Sequence, residues 1–319
     1  MSITLEGIHH VTAIASDPQK NVDFYAGALG LRLVKRTVNF DDPTTYHLYY
    51  GDEKGAPGSL MTFFPWPRAP RGRAGTGQIN ATAFSIPPAS LGYWLERMVR
   101  HGIPHEGPAK RFDAQVLTVR DPDGLVIELV ATSDERAPWE DGPVPAAHAI
   151  RGLHSTTIWR DAETATGAML IDLLGFREAG REGAVTRYAT GTGGPGALLD
   201  VRDAAGFWRG TIGVGTVHHM AWRMPDTDVE DAARNELARR GVPATDIIDR
   251  QYFKSVYFHE PGGVLLELAT DGPGFDRDEP LATLGTQLML PPWFERDRAM
   301  LEATLPPIHS PAHRETAVP

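Results

Sequence analysis

The chain has 319 residues, no cysteine, 41% hydrophobic residues and a formal net charge of −10 from 31 basic and 41 acidic side chains. Its length predicts two domains or one large one, with enough chain to bury a full core. Lack of cysteine excludes a disulfide scaffold, thiolate metal sites and thiol nucleophiles. The acidic balance argues against a nucleic-acid partner, and no apolar run approaches the ~18 residues of a membrane span. The first residues, Met1-Ser2-Ile3-Thr4-Leu5-Glu6, lack the basic-then-apolar pattern of a signal peptide, so a cytoplasmic location is expected.

In chain order, one pattern recurs four times. The first unit opens with the strand-like Gly7-Ile8-His9-His10-Val11-Thr12, continues with a helix from Asp17-Pro18 to Leu29 that stops at Gly30, and turns at Pro57-Gly58. The second opens at Gln78-Ile79-Asn80-Ala81, has a helix from Pro88 to His101 ended by Gly102, and turns at Pro122-Asp123-Gly124. The third opens at Gly152-Leu153-His154-Ser155, has a helix from Asp161 to Leu174 ended by Gly175, and turns at Pro195-Gly196. The fourth opens at Thr216-Val217-His218-His219, has a helix from Asp228 to Arg240 ended by Gly241, and turns at Pro261-Gly262-Gly263. Polar starts and glycine stops are the expected punctuation of helices, and the alternating runs around each turn read as strands.

The unit is therefore strand, helix, three strands, repeated at roughly seventy-residue intervals. The predicted division is module 1 at 1–70, module 2 at 76–135, module 3 at 150–205 and module 4 at 213–270. A tail at 271–319 follows, with a short helix over Trp293 to Leu305 and a loose proline-rich end. One unit leaves a sheet face uncovered, whereas two side by side make a curved eight-stranded half-barrel. The expected class is α+β, four βαβββ modules forming two half-barrels.

Stacking the units compares equivalent positions within one chain. The residue after the strand opener reads His9, Asn80, His154 and His218, and the next reads His10, Ala81, Ser155 and His219. Counted six residues from each turn proline, the last strand reads Phe63, Glu128, Val201 and Glu267. Two imidazoles and one carboxylate on one face are the donor set of a non-haem Fe(II) site with its other face open. Pairing modules 1 and 4 collects His10, His219 and Glu267; pairing 2 with 3 leaves a lone Glu128, best explained by an arginine partner. A carboxylate within Val264-Leu265-Leu266-Glu267-Leu268 requires a strong partner to offset its desolvation. The columns leave open which histidine of each doublet ligates, because strand neighbours point to opposite faces.

The repeat, together with Ile8-His9-His10-Val11-Thr12, Phe24-Tyr25, Leu33-Val34-Lys35-Arg36-Thr37, Tyr46-His47-Leu48-Tyr49, Gly58 to Pro65, Val217-His218-His219 and Pro261 to Glu267, resembles the vicinal oxygen chelate superfamily. Within it, the chain is similar to extradiol-type dioxygenases that open hydroquinones and chlorohydroquinones. The resemblance implies metal binding by His10, His219 and Glu267, with Fe(II) as cofactor and Mn(II) as the alternative. It implies that Arg250 and Tyr257 act beside the metal, and that His9 and His218 serve as acid/base or hydrogen-bonding partners. The implied partners are a small aromatic substrate (hydroquinone-like, with catechol as the alternative) and O2; a homo-oligomer is compatible with the sequence, though no stretch identifies its surface, and no nucleic-acid or membrane partner is expected. His47 has no column partner and reads as structural. Two other functions share the fold: a glyoxalase-type isomerase, which expects a fourth ligand where the count places Phe63, and a non-enzymatic small-molecule binder.

Overall fold

In the computed structural model, residues 2–161 and 163–310 are described. Module 1 runs β1 (Ile8–Ala15), α1 (Pro18–Val22), a π-helical turn (Asp23–Ala28), β2 (Arg32–Val38), β3 (Tyr46–Gly51) and β4 (Leu60–Pro65). Module 2 runs β5 (Gln78–Ile86), α2 (Leu91–Arg100), β6 (His105–Arg111), β7 (Ala114–Arg120) and β8 (Val126–Ala131). Module 3 has β9 (Gly152–Arg160), α3 (Glu163–Asp172), β10 (Arg177–Glu182), β11 (Val185–Ala189) and β12 (Leu198–Asp203). Module 4 has β13 (Val217–Met224), α4 (Thr227–Arg239), β14 (Ile248–Asp249), β15 (Lys254–His259) and β16 (Leu265–Thr270). The tail helix α5 is confined to Arg298–Thr304, shorter than predicted because Glu295–Asp297 form a 3-10 turn ahead of it. The proline-rich end beyond residue 310 lies outside the described residues.

The helices begin where the sequence punctuates them. Asp17 accepts from the amides of Gln19 and Lys20 at the start of α1, and Asp226 accepts from Val229 at the start of α4, satisfying amides that have no intrahelical partner. The helix predicted to run unbroken to Leu29 widens instead into the π-turn, which buries Phe24 and Tyr25.

The strands form two eight-stranded sheets, β14-β15-β16-β13-β1-β4-β3-β2 and β10-β11-β12-β9-β5-β8-β7-β6. Modules 1 and 4 share the first sheet and modules 2 and 3 the second, each pair joined antiparallel through its opening strands, β1 with β13 and β5 with β9. The repeats therefore pair outer with outer and inner with inner. The main apolar core includes Trp94, Trp222, Leu266 and Leu268, all without exposed surface; each buried large side chain contributes about 1.5–3 kcal/mol. No described helix is long and apolar enough to cross a membrane.

The tail straps module 1. Lys35, fully buried, is held by Asp278 at 2.8 Å and Glu279 at 2.9 Å, and Met289 donates its amide to Arg36. Phe275 packs on Tyr49 and Tyr252, in a cluster with Ala221 and Ala269 on the sheet face that carries Glu267. Gly285 allows this approach: a Cβ there, at φ +76°, would stand 1.8 Å from the Leu33 carbonyl.

Candidate metal centre

Three strands of the first sheet bring His10, His219 and Glu267 to one point. The His10 and His219 Nε2 atoms stand 3.4 Å apart, and Glu267 Oε2 lies 3.3 Å from the first and 3.0 Å from the second. All three residues are buried. Donors about 2.1 Å from one ion and at right angles to each other stand roughly 3 Å apart, so this triangle has the size of three ligands on one face of a divalent metal. Glu267 Oε2 is buried without a hydrogen-bond partner among the described residues, while Oε1 accepts from Ser255 at 2.6 Å. Three lone-pair donors facing one another with one oxygen unsatisfied fit a cation better than they fit each other.

Regular alternation would send the two histidines of a doublet to opposite faces. The register of β1 against β13 is interrupted at both doublets, skipping His9 between Ile8 and His10 and skipping His218 between His219 and Val217. These bulges break the alternation and let His9 Nδ1 reach His10 Nδ1 at 2.9 Å and His218 Nδ1 reach His219 Nδ1 at 2.8 Å. The bulges thus keep both histidines of each doublet together beside the centre, against the simple alternation of strand neighbours. With Nε2 of the second histidine aimed inward, its Nδ1–H donates to the first histidine, which fixes tautomer and ring orientation.

Burial, then His10, lowers the His9 imidazole well below its ordinary value, and burial with His219 pushes His218 down to about 3, so both rings are neutral near pH 7. Burial also lowers His219. Burial by itself would raise Glu267, but His10 and His219 hold its carboxyl well below the usual carboxylate range. The centre therefore sets a neutral His219 imidazole against the Glu267 carboxylate.

Tyr257, opposite Glu267 in the β15–β16 ladder, packs its ring 5.6 Å from that of His219. Its hydroxyl accepts from Arg250 Nε at 3.3 Å, and the guanidinium also reaches Asp41 at 3.0 Å. Burial and the Glu267 charge raise the Tyr257 phenol, which stays protonated. For Arg250, Tyr257 and Asp41 outweigh burial and hold the guanidinium charged. Phe253 packs against both His9 and His10.

The ladders also correct the last-strand column. Glu267 stands beside Ala221, two residues beyond His219; the matching partner of Thr12, two beyond His10, is Thr62 and not Phe63. Thr62 hydrogen-bonds Thr12 at 2.8 Å and His47 Nε2 at 2.9 Å, and Tyr49 hydrogen-bonds His47 Nδ1 at 2.7 Å. His47, read from sequence as structural, thus adjoins the centre. Ser255, Thr62 and Phe253 were not singled out by the sequence reading. The signal for Thr62 is glycine spacing: it lies four residues past Gly58, as Glu267 lies four past Gly263.

The same spacing in the second sheet gives Glu128 and Asp200, in place of Val201, beside Ala83 and Thr157. Both carboxylates are met by arginines: Arg111 reaches Glu128 at 2.7 Å, as the sequence led us to expect, and Arg187 forks onto Asp200 at 2.7 and 2.8 Å. Ala81 and Ser155 stand where the first sheet has His10 and His219. Among the described residues the triad of the first sheet is the one grouping suited to a metal ion.

The family described as Glyoxalase/Bleomycin resistance protein/Dioxygenase superfamily matches residues 7–129 and 161–268. The chain is 42% identical over 302 residues to MhqO of Bacillus subtilis (strain 168), named as a ring-cleaving dioxygenase, covering 94% of this chain and 96% of that protein. It is 35% identical over 303 residues to chlorohydroquinone/hydroquinone 1,2-dioxygenase of Sphingobium indicum, covering 91% and 93%. A crystal structure of a dioxygenase from Bacillus subtilis superposes with TM-score 0.93 at 41% identity, over 97% of this chain and 99% of that one. Glyoxalase I from Zea mays shares the fold, with TM-score 0.63 at 14% identity over 83% and 92% of the two chains. Fold, repeat pairing and sequence agree: the chain belongs to the Glyoxalase/Bleomycin resistance protein/Dioxygenase superfamily.

Proposed function

We propose that this protein is a ring-cleaving dioxygenase that inserts O2 into a hydroquinone-like dihydroxybenzene, with Fe(II) held by His10, His219 and Glu267. The observation that carries the reading is the buried His-His-carboxylate triangle, one edge of it 3.0 Å, in a chain related over most of its length to named ring-cleaving enzymes. Iron bound there would supply the positive charge that favours a phenolate over a phenol, and the redox chemistry that O2 requires.

The protein's own groups do the rest. Arg250, charged and partly buried, binds negative charge on a substrate oxygen, which is worth more in a site shielded from water. The Tyr257 hydroxyl, kept protonated, donates to that oxygen or to the ring-opened product. Neutral His218 and His9 hold the ligating rings in one tautomer, and His218, whose Nδ1 takes the His219 hydrogen bond, carries its own proton on Nε2 and donates it in a hydrogen bond to a substrate oxygen. The isomerase alternative expects a carboxylate at the position of Thr62, and a hydroxyl already engaged by Thr12 and His47 does not replace one.

The test is an anaerobic reconstitution with Fe(II) or Mn(II), metal analysis, and oxygen uptake over catechol, hydroquinone and their methyl and chloro derivatives. About one metal per chain and stoichiometric O2 consumption with a hydroquinone are expected. Glu267→Gln should lose both metal and turnover while keeping its circular dichroism. Isomerisation of a glutathione hemithioacetal without oxygen uptake would establish the other reaction, and full activity of Glu267→Gln would refute the ligand assignment.

A further inference from the structure

A cleft of about 320 Å³ lies where the connector segment Trp208 to Ile212 meets the turn of module 4. It touches the metal centre through His218, and none of the three candidate ligands lines it. Its polar groups are Gln78, Arg209, His218 and His259; Ile212 and Leu265 are among its apolar ones. A mostly apolar wall with a few convergent polar groups in this size range is the character of a small-molecule site.

Two of those groups lack partners among the described residues. Gln78 is 4% exposed, and both its amide oxygen and its amide nitrogen are buried without a hydrogen-bond partner there. The Arg209 guanidinium makes no hydrogen bond or ion pair with any described residue. Glycines make room for both: a Cβ on Gly210 would stand 2.4 Å from Gln78 Cδ, and one on Gly263 would stand 2.6 Å from Arg209 Nη2. A buried amide left unsatisfied is destabilising, and so is retained where a ligand completes its bonds.

We propose that this cleft binds a small organic carboxylate, with Arg209 forking onto the carboxylate and the Gln78 amide completing its hydrogen bonds. Oxidative opening of a six-carbon dihydroxybenzene converts a hydroxyl-bearing carbon into a carboxylic acid. The identification of that product as the occupant rests on the proposed function, whereas the binding itself does not.

The full-length protein loaded with redox-inert Zn(II) is titrated calorimetrically with sorbate, a six-carbon unsaturated carboxylate, and with sorbyl alcohol, its neutral counterpart. The Gln78 side-chain amide signals are followed by NMR. We expect saturable sorbate binding that shifts those signals, at least tenfold weaker binding of the alcohol, and at least tenfold weakening by Arg209→Gln or Gln78→Leu at unchanged zinc content. Gln78→Leu should also melt a few degrees higher, having lost an unsatisfied amide. Absence of saturation by about 20 mM sorbate, or binding indifferent to both substitutions, overturns the proposal. Oxygen uptake with hydroquinone is measured separately, so failure of the ring-cleavage reading is seen independently of this site.

Discussion

At the residue scale, His47 shows how hydrogen-bond polarity assigns a role. Tyr49 is 1% exposed, and His47 is its hydroxyl's hydrogen-bond partner among the described residues. Were Tyr49 to accept from His47, its own proton would be stranded in the core, at about 1–3 kcal/mol. Tyr49 therefore donates to Nδ1, His47 donates from Nε2 to Thr62, and Thr62 donates to Thr12. Burial and the nearby His10 and His219 keep His47 neutral, as this chain requires. The last hydroxyl proton, on Thr12, has no acceptor among the described residues and sits on the strand that carries His10. It is a donor free for a substrate oxygen. His47→Phe should then lower kcat/KM for the hydroquinone roughly tenfold, mainly through KM, at unchanged metal content. His47→Gln, able to donate to Thr62, should recover part of the loss, and equal defects in the two variants would contradict the chain.

At the element scale, the four opening strands share one device, a bulge at the first residue of each doublet position. The β5–β9 register skips Asn80 and His154 as the β1–β13 register skips His9 and His218. Elements, their order and the triad were legible because they rest on local signals: caps, glycine stops and a carboxylate in an apolar run. Bulges were not, because an inserted residue leaves hydrophobic composition unchanged and reveals itself only across the ladder. The Phe63 and Val201 assignments failed for a related reason. The turn glycine with positive φ follows the proline directly in modules 1 and 3 (Gly58, Gly196) and one residue later in modules 2 and 4 (Gly124, Gly263), so counting from proline slips by one.

Helix α4 holds a second departure from local preference. Glu230 lies near its N-terminus, where the helix dipole favours a carboxylate by about 0.3–1 kcal/mol, yet the residue is buried and both oxygens lack partners among the described residues. Burial first, then the Glu267 charge, pushes its carboxyl up from 4.5 to about 8. The unfolded chain releases this proton near pH 4.5 and the native protein only near 8, so native stability falls as pH rises across that window. Glu230→Gln should gain stability relative to wild type across the same window and level off above it. The gain should be on the order of 2–4 kcal/mol, read from urea denaturation at several pH values. A gain independent of pH would show that Glu230 is ionised throughout in the folded protein.

At the scale of the whole molecule, one register is used twice with opposite charge solutions. The first sheet presents two imidazoles, a threonine and a glutamate around its centre; the second presents Ala81, Ser155, Glu128 and Asp200 at the same ladder positions. Where the first leaves its carboxylate for a metal, the second neutralises both carboxylates with guanidinium groups, and Arg187 additionally stacks 3.9 Å from the Phe112 ring. Asp200 is buried, so removing Arg187 leaves a nearly unsolvated charge, a loss of about 3–5 kcal/mol, whereas replacing both partners by apolar groups is close to neutral. Arg187→Met should therefore lower the midpoint of urea unfolding strongly, and Arg187→Met with Asp200→Leu should recover most of it. Neither should alter metal content, because the first sheet supplies all three candidate ligands. If the double variant were as unstable as the single one, the arginine would act through its packing on Phe112; metal loss in either would mean that the two barrels fold as one unit, with the second holding the first in shape.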